Sequence, residues 1–189
     1  MDKLFSELGK MDAAIAGGKG ASLGEMTKAG IPVPAGFVVT AQAFDRFMLE
    51  TGIAAHVHSE LGRVNHDDVA SVEHASEVLH ALITGRDMPA DLAEEIMAAH
   101  DTLGAEFVAV RSSATAEDSS SASWAGELES YLNTNRDQVL ANVKRCWASL
   151  FTPRAIVYRA EKNMKDVHVS VAVVIQKMVQ SEVAGITFT

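Results

Sequence analysis

The stretch FVAVRSSATAEDSSSASWAGELESYLN, residues 107–133, combines an apolar run, a polar segment and an alternating run. Its first four residues form a short apolar run, typical of a buried strand, that ends at Arg111. The last five, ESYLN, alternate between polar and apolar residues as a second strand would. A segment rich in Ser and Gly separates the two runs. The pattern therefore predicts two strands joined by a polar loop, with an arginine at the end of the first strand.

A hairpin of this composition is suited to bind phosphate. Arg111 would offer a charged, two-pronged donor, and the loop would add hydroxyl groups and backbone amides. Gly126, close to an aromatic residue, would let the backbone approach a ligand closely. A serine-rich surface hairpin with one exposed arginine fits the same composition. The residues alone leave both interpretations open.

Length and composition restrict the class of protein. The chain has 189 residues, of which 48% are hydrophobic, enough for the core of one domain or of two small subdomains. A net charge of −9 argues against a nucleic-acid partner, and no apolar run approaches the roughly 20 residues that span a membrane. The single cysteine, Cys146, excludes an internal disulfide and argues against a cysteine zinc site. We therefore expect a soluble cytoplasmic protein without a metal site in this chain.

A second glycine-rich stretch, AIAGGKGASLGEMTKAG, occupies residues 14–30 and surrounds Lys19. Ser22 and Glu25 have the spacing of a capping box, which predicts a helix that begins there and ends at Gly30. Lys19 would then precede a helix N-terminus, a location that favours anions. The spacing matches neither a Walker A loop nor a dinucleotide fingerprint. A glycine-rich turn with a solvated lysine therefore stays open as the alternative.

The remaining segments predict a framework for these two stretches. A strand is expected at residues 37–39, quiet helices at 51–104, a capped helix after Asn135 with Cys146 in its core face, and β-structure at 167–179 and again at 184–189. Six histidines lie in the helical region and are expected at the surface: His56, His58, His66, His74, His80 and His100.

Several of these segments resemble one known family. VAVRSSATAED (108–118) and SASWAGELESYLN (121–133) resemble the nucleotide-binding domain of the phosphoenolpyruvate synthases and their relatives. GGKGASLGEM (17–26), AGIPVPAGFVVT (29–40) and VVIQKMV (173–179) are similar to further segments of that domain. The family includes rifampicin phosphotransferases and, more distantly, pyruvate phosphate dikinase. The RSSATAED segment resembles the synthase and rifampicin branch.

The resemblance implies an α+β fold, the N-terminal part of an ATP-grasp-like domain that covers residues 1–189. Residues 1–110 would form a mainly helical body, and residues 111–189 the phosphate loop, a mobile lid and the hinge strands. The metal-binding part, a phosphohistidine domain and a pyruvate-binding barrel would lie beyond Thr189. Mg²⁺ ligands are therefore expected outside this chain.

The resemblance also assigns roles to particular residues. Lys19 and Arg111 would neutralise charge on the phosphates of ATP during transfer, and Gly126 would provide backbone donors. Ser130 stands where we expect the family's threonine and keeps its hydroxyl. The hinge that borders the adenine would consist of Gln176, Lys177 and Met178.

The function implied is that of one part of a larger kinase. The intact enzyme would use ATP and Mg²⁺ to phosphorylate its own histidine and then transfer the phosphate to pyruvate, and this chain alone would be inactive. A rifampicin phosphotransferase, or a non-catalytic nucleotide-binding or interaction module, remains the alternative.

Overall fold

The computed structural model describes residues 1–115, 129–162, 169–183 and 185. Within these residues five strands and seven α-helices are present. The strands are β1 (Asp2–Leu4), β2 (Gly36–Val39), β3 (Val108–Ala114), β4 (Ser130–Thr134) and β5 (Val171–Lys177). The helices are α1 (Ala13–Lys28), α2 (Ala41–Glu50), α3 (Ala54–Arg63), α4 (Val69–Thr84), α5 (Ala90–Leu103), α6 (Val139–Ala148) and α7 (Pro153–Glu161). The predicted α+β class is confirmed.

The five strands form one sheet in the order β1-β2-β5-β3-β4, and every neighbouring pair is antiparallel. β4 contains a bulge opposite Val108 and Val110, where Asn133 adopts a left-handed conformation with φ of 51°. The boundary expected at residue 110 falls inside β3, and both halves of that strand pair with β5. The two predicted parts of the chain therefore share a single sheet.

One face of the sheet is covered by α2 to α7. Alternate residues of the strands, such as Val110 and Val173, point into this core together with the apolar faces of the helices. Trp147 is fully buried there, with ring centroids 4.9 Å from Phe47 and 5.9 Å from Phe44. This is the larger of the two cores and provides most of the apolar burial.

Cys146 lies in the same core, as the sequence predicted. Its side chain is fully buried, and this burial raises the pKa of the thiol well above its ordinary value. The thiol is therefore protonated and unreactive at neutral pH.

The opposite face of the sheet is covered by α1. Ala16 and Leu23 of this helix pack on Val38, Ala172 and Val174. Helix α1 is broken at Gly17, whose φ of 67° and ψ of 172° are not helical, so a continuous helix starts again at Gly18. The predicted helix start at Ser22 was therefore wrong, because the contact that sets the start is made with a distant strand and not within the capping-box segment.

Other helix ends follow the sequence. Gly30, with φ of 75°, follows the end of α1, and Gly104, with φ of 61°, follows α5. The Thr152 hydroxyl accepts a hydrogen bond from the Ala155 amide (3.2 Å), and the Asn135 side chain accepts one from the Gln138 amide (3.2 Å). The predicted helix end at Gly30 and the predicted cap at Asn135 are confirmed.

His100 is an exception to the expected surface histidines. It is only 3% exposed, because it follows Ile96 by one helical turn on the inward face of α5. Neither of its ring nitrogens has a hydrogen-bond partner in the described part of the chain.

No helix among the described residues is long and apolar enough to cross a membrane.

Candidate functional site

Arg111 lies in the middle of β3 and not at its end, which corrects the prediction from sequence. The strand continues through Ala114, with Ser112 opposite Val173 and Ser113 opposite Ala172 of β5. Serine is a residue typical of loops, but both of these serines are buried and their hydroxyls are hydrogen-bonded. This pairing explains why a strand can accommodate them.

The register of the sheet brings several predicted residues to one face. Arg111 stands opposite Val174 on β5 and opposite Ser130 on β4, and directly opposed side chains lie on the same face. Gln176, two residues beyond Val174, shares that face. This is the face covered by α1, the helix that carries Lys19. The structure therefore groups Lys19, Arg111, Ser130 and Gln176 on one side of the sheet.

The glycine-rich stretch lies directly against β3. The Ser113 hydroxyl oxygen accepts hydrogen bonds from the backbone amides of Lys19 (3.1 Å) and Gly20 (3.4 Å). A Cβ atom on Gly17 would lie 2.4 Å from the Ser113 carbonyl oxygen, so only glycine permits this approach. The backbone of Lys19, in the first turn of the continuous part of α1, is thereby held by a residue that lies two positions after Arg111 on β3.

The charge of Arg111 has no partner within the described residues, where its guanidinium makes neither an ion pair nor a hydrogen bond. Arg111 and Lys19 are both half-buried. Ser130, opposite Arg111, is exposed. A partly buried guanidinium without a carboxylate partner is suited to bind an anion.

The hinge residues are engaged in the protein itself. The Gln176 side chain is 8% exposed and its amide donates to the Pro34 carbonyl (3.0 Å). The Lys177 amide donates to the Ala35 carbonyl (2.9 Å), and the Met178 amide donates to the Phe107 carbonyl (3.0 Å). An adenine at this hinge would have to use groups other than these two backbone amides.

Two parts of the predicted site lie outside the described residues. Gly126 belongs to the segment 116–128, and the second β-run at 184–189 is described only at residue 185.

Within the described ranges, no group of three or more His, Cys, Asp or Glu side chains is placed to hold a metal ion. A cleft of about 560 Å³ between α4 and α7, lined by residues such as Glu73, Arg154 and Tyr158, contains none of the predicted site residues.

Sequence reasoning missed Gly17 and Ser113 as members of this site. The signal available was the doubled glycine before Lys19, together with small residues that continue the alternation of VAVRSSA. Neither signal identifies the contact alone, because the two residues are far apart in the chain and meet only in the folded protein.

Comparison with known proteins identifies the family. A sequence model described as "Pyruvate phosphate dikinase, AMP/ATP-binding domain" matches residues 13–189. The chain belongs to this family. It is 47% identical over 192 residues to the probable phosphoenolpyruvate synthase of Methanothermobacter thermautotrophicus, and 47% identical over 191 residues to that of Archaeoglobus fulgidus. It is 40% identical over 226 residues to the phosphoenolpyruvate synthase of Pyrococcus furiosus.

These alignments cover nearly all of this family member but only part of its relatives. They include 98–99% of the chain and 25–28% of the length of the three synthases. The chain therefore corresponds to about a quarter of each relative. The resemblance seen in the sequence motifs is confirmed.

Proposed function

We propose that this chain forms the phosphate-binding part of an ATP site in a phosphoenolpyruvate synthase-like phosphotransferase, with an ATP-grasp-like arrangement and a mobile lid. The observation that carries the proposal is the position of Arg111, which makes no ion pair within the described residues and faces Ser130 on the side of the sheet where α1 carries Lys19. The family description, an AMP/ATP-binding domain, supports the same ligand.

The two cations act by position and charge. Arg111 binds phosphate oxygens through its planar guanidinium, and Lys19 adds a single positive charge from the helix on the same face. Neither group transfers a proton. Both reduce the negative charge that accumulates on the phosphates during transfer.

Other residues complete the nucleotide site. The hydroxyl of Ser130 contacts the phosphates beside Arg111, and the backbone around Gly126 supplies further donors. Gln176, Lys177 and Met178 border the adenine as the hinge. The described residues provide no carboxylate cluster that fits Mg²⁺, so no step is assigned to the metal in this chain.

In the whole protein, ATP would phosphorylate a histidine of another domain, which would pass the phosphate to pyruvate. One of the three relatives is named a phosphoenolpyruvate synthase and two are named probable ones, and this favours pyruvate over rifampicin as the final acceptor. We place the enzyme in the cytoplasm, in agreement with its single, buried thiol.

The proposal is tested by titrating ATP into ¹⁵N-labelled protein and following amide shifts. The unmodified chain should bind ATP with a Kd on the order of millimolar, because domain closure and metal contacts that would strengthen binding are missing. Arg111→Ala should weaken binding roughly 10- to 150-fold, since a charge-assisted hydrogen bond is lost. Lys19→Ala should act in the same direction but less strongly.

The matched control is Arg63→Ala, which removes an exposed arginine at the end of α3. It should leave ATP affinity unchanged. Equal affinity in the Arg111→Ala and Arg63→Ala variants would contradict the site, and so would an Arg111→Ala protein whose melting curve collapses.

The chain alone should not turn over ATP, with or without pyruvate, because the histidine acceptor and the metal ligands are proposed to lie outside this chain. Phosphate release is measured beside the titration. Steady hydrolysis that Arg111→Ala abolishes, or micromolar binding that depends on Mg²⁺, would show that the chain holds a complete site.

A further inference from the structure

Ser113 occupies an unusual position between the sheet and helix α1. Its side chain is fully buried, and its oxygen accepts hydrogen bonds from the backbone amides of Lys19 (3.1 Å) and Gly20 (3.4 Å). The first amides of a helix have no acceptor within the helix and are usually satisfied by a residue just before it. Here the acceptor comes from a strand 94 residues later in the chain.

Gly17 makes room for this arrangement. It stands at the break in α1, where a local capping side chain would be expected, and its φ of 67° disfavours any other residue. A Cβ atom there would lie 2.2 Å from the Ser113 hydroxyl oxygen. Two residues therefore form the cap together. Gly17 leaves the space, and the Ser113 side chain fills it and accepts the hydrogen bonds.

The cap connects the two proposed phosphate-binding cations. Ser113 is two residues after Arg111 on the same strand and the same face, and it bonds the amide of Lys19 itself. Since the Lys19 and Gly20 amides already donate to Ser113, they are not the donors that would hold an anion. An anion on this face would therefore contact the side chains of Lys19 and Arg111 and not these two amides.

We propose that Ser113 is a positioning residue for nucleotide binding: it fixes Lys19 at a set place relative to Arg111. This inference rests on the proposed ATP site and adds to it the residue that aligns its two cations. The neighbouring Ser112 has a different role, because it lies on the other face and its hydroxyl donates to the Glu129 carbonyl (2.8 Å).

The test is a double-mutant cycle of Ser113→Ala and Lys19→Ala in the ATP titration. Ser113→Ala alone should weaken ATP binding by about three- to tenfold, the effect of one lost hydrogen bond. In the Lys19→Ala background, Ser113→Ala should cause no further change, because its effect passes through Lys19. Hydrogen exchange at the Lys19 and Gly20 amides should become faster in Ser113→Ala.

Ser149→Ala is the matched control, since Ser149 is 1% exposed and its hydroxyl donates to the Cys146 carbonyl (2.7 Å) on the other side of the sheet. It removes the same atom from an equally buried site and should leave ATP affinity unchanged. A merely structural role of Ser113 would give the same fold-change in both Lys19 backgrounds, and this result would overturn the inference.

Three further experimental results would distinguish failure of the positioning role, of the cap and of the ATP site. If Ser113→Ala binds ATP as tightly as the unmodified chain while Arg111→Ala binds weakly, the positioning role is wrong and the ATP site stands. If exchange at Lys19 and Gly20 is unchanged in Ser113→Ala, the cap itself is wrong. If the unmodified chain does not bind ATP, or Arg111→Ala binds equally well, the proposed function fails and the inference fails with it.

Discussion

The two faces of the sheet are covered by side chains of different size. The helical face is closed by α2 to α7 with large apolar side chains, among them Trp147. The α1 face has a smaller apolar cluster, beside which Arg111 and Ser113 stand on β3, and its helix approaches through glycines. Small residues give less apolar burial but allow two backbones to come close. The first face therefore provides most of the apolar burial, and the second is the face of the proposed ligand site.

Trp147→Ala should have the largest effect, because it leaves a cavity between Phe44 and Phe47 in the helical core. We expect a loss of about 3–5 kcal/mol in the free energy of unfolding, measured by urea denaturation. ATP affinity of the folded fraction should not change. A loss below about 1 kcal/mol would mean that the core collapses around the missing ring.

Gly17→Ala should disturb the α1 face in particular. The left-handed backbone and the contact with Ser113 each penalise a side chain, and together they should cost about 3 kcal/mol. Gly62→Ala in α3 is the control, since nothing lies within 4 Å of the added atom and alanine favours helix there. Denaturation midpoints that fall equally in both variants would contradict the close approach.

Lys144→Met tests a smaller, polar contact on the helical side. The Lys144 ammonium donates to the carbonyls of Thr84 (2.8 Å) and Arg86 (2.7 Å), where α4 ends. Its removal should cost about 1–2 kcal/mol in chemical denaturation and leave ATP affinity unchanged. A change in affinity would show that the two faces are coupled and not separate.

The smallest effect is expected from the surface pair of Asp101 and Arg136. Two hydrogen bonds from Arg136 (2.7 and 2.8 Å) lower the pKa of Asp101 to about 2 from 3.8. Because the folded pKa is the lower one, the pair stabilises the fold above pH 3.8 and this contribution is lost as the pH falls toward about 2. Carboxyl NMR titration should give the low midpoint, and Arg136→Met should raise it. An unchanged midpoint in that variant would rule out the pair as its cause.

Sequence alone predicted the elements whose signals are local. The end of α1 follows from Gly30, and the core face of α6 follows from its apolar spacing. The contacts around the proposed site were predicted less well. Lys19 and Arg111 share a face as their proposed common role requires, but the cap by Ser113 depends on a contact between distant parts of the chain.

The errors have the same physical origin. Arg111 was expected at a strand end because serines resemble loop residues, yet pairing with β5 continues the strand past them. His100 was expected at the surface because histidine is polar, yet its place on α5 faces the core. In each case tertiary packing determines the outcome, and a local pattern does not contain that information.

The position of β5 also determines the order in which the sheet can be completed. β2 and β3 are neighbours of β5 and not of each other, so each has an unpaired edge until residues 171–177 have been synthesised. Strand pairing over such sequence separations is slow, and exposed strand edges promote association between chains. During synthesis, the pair of strands β3 and β4, which contains Arg111, therefore cannot be joined to β2 until β5 has been made.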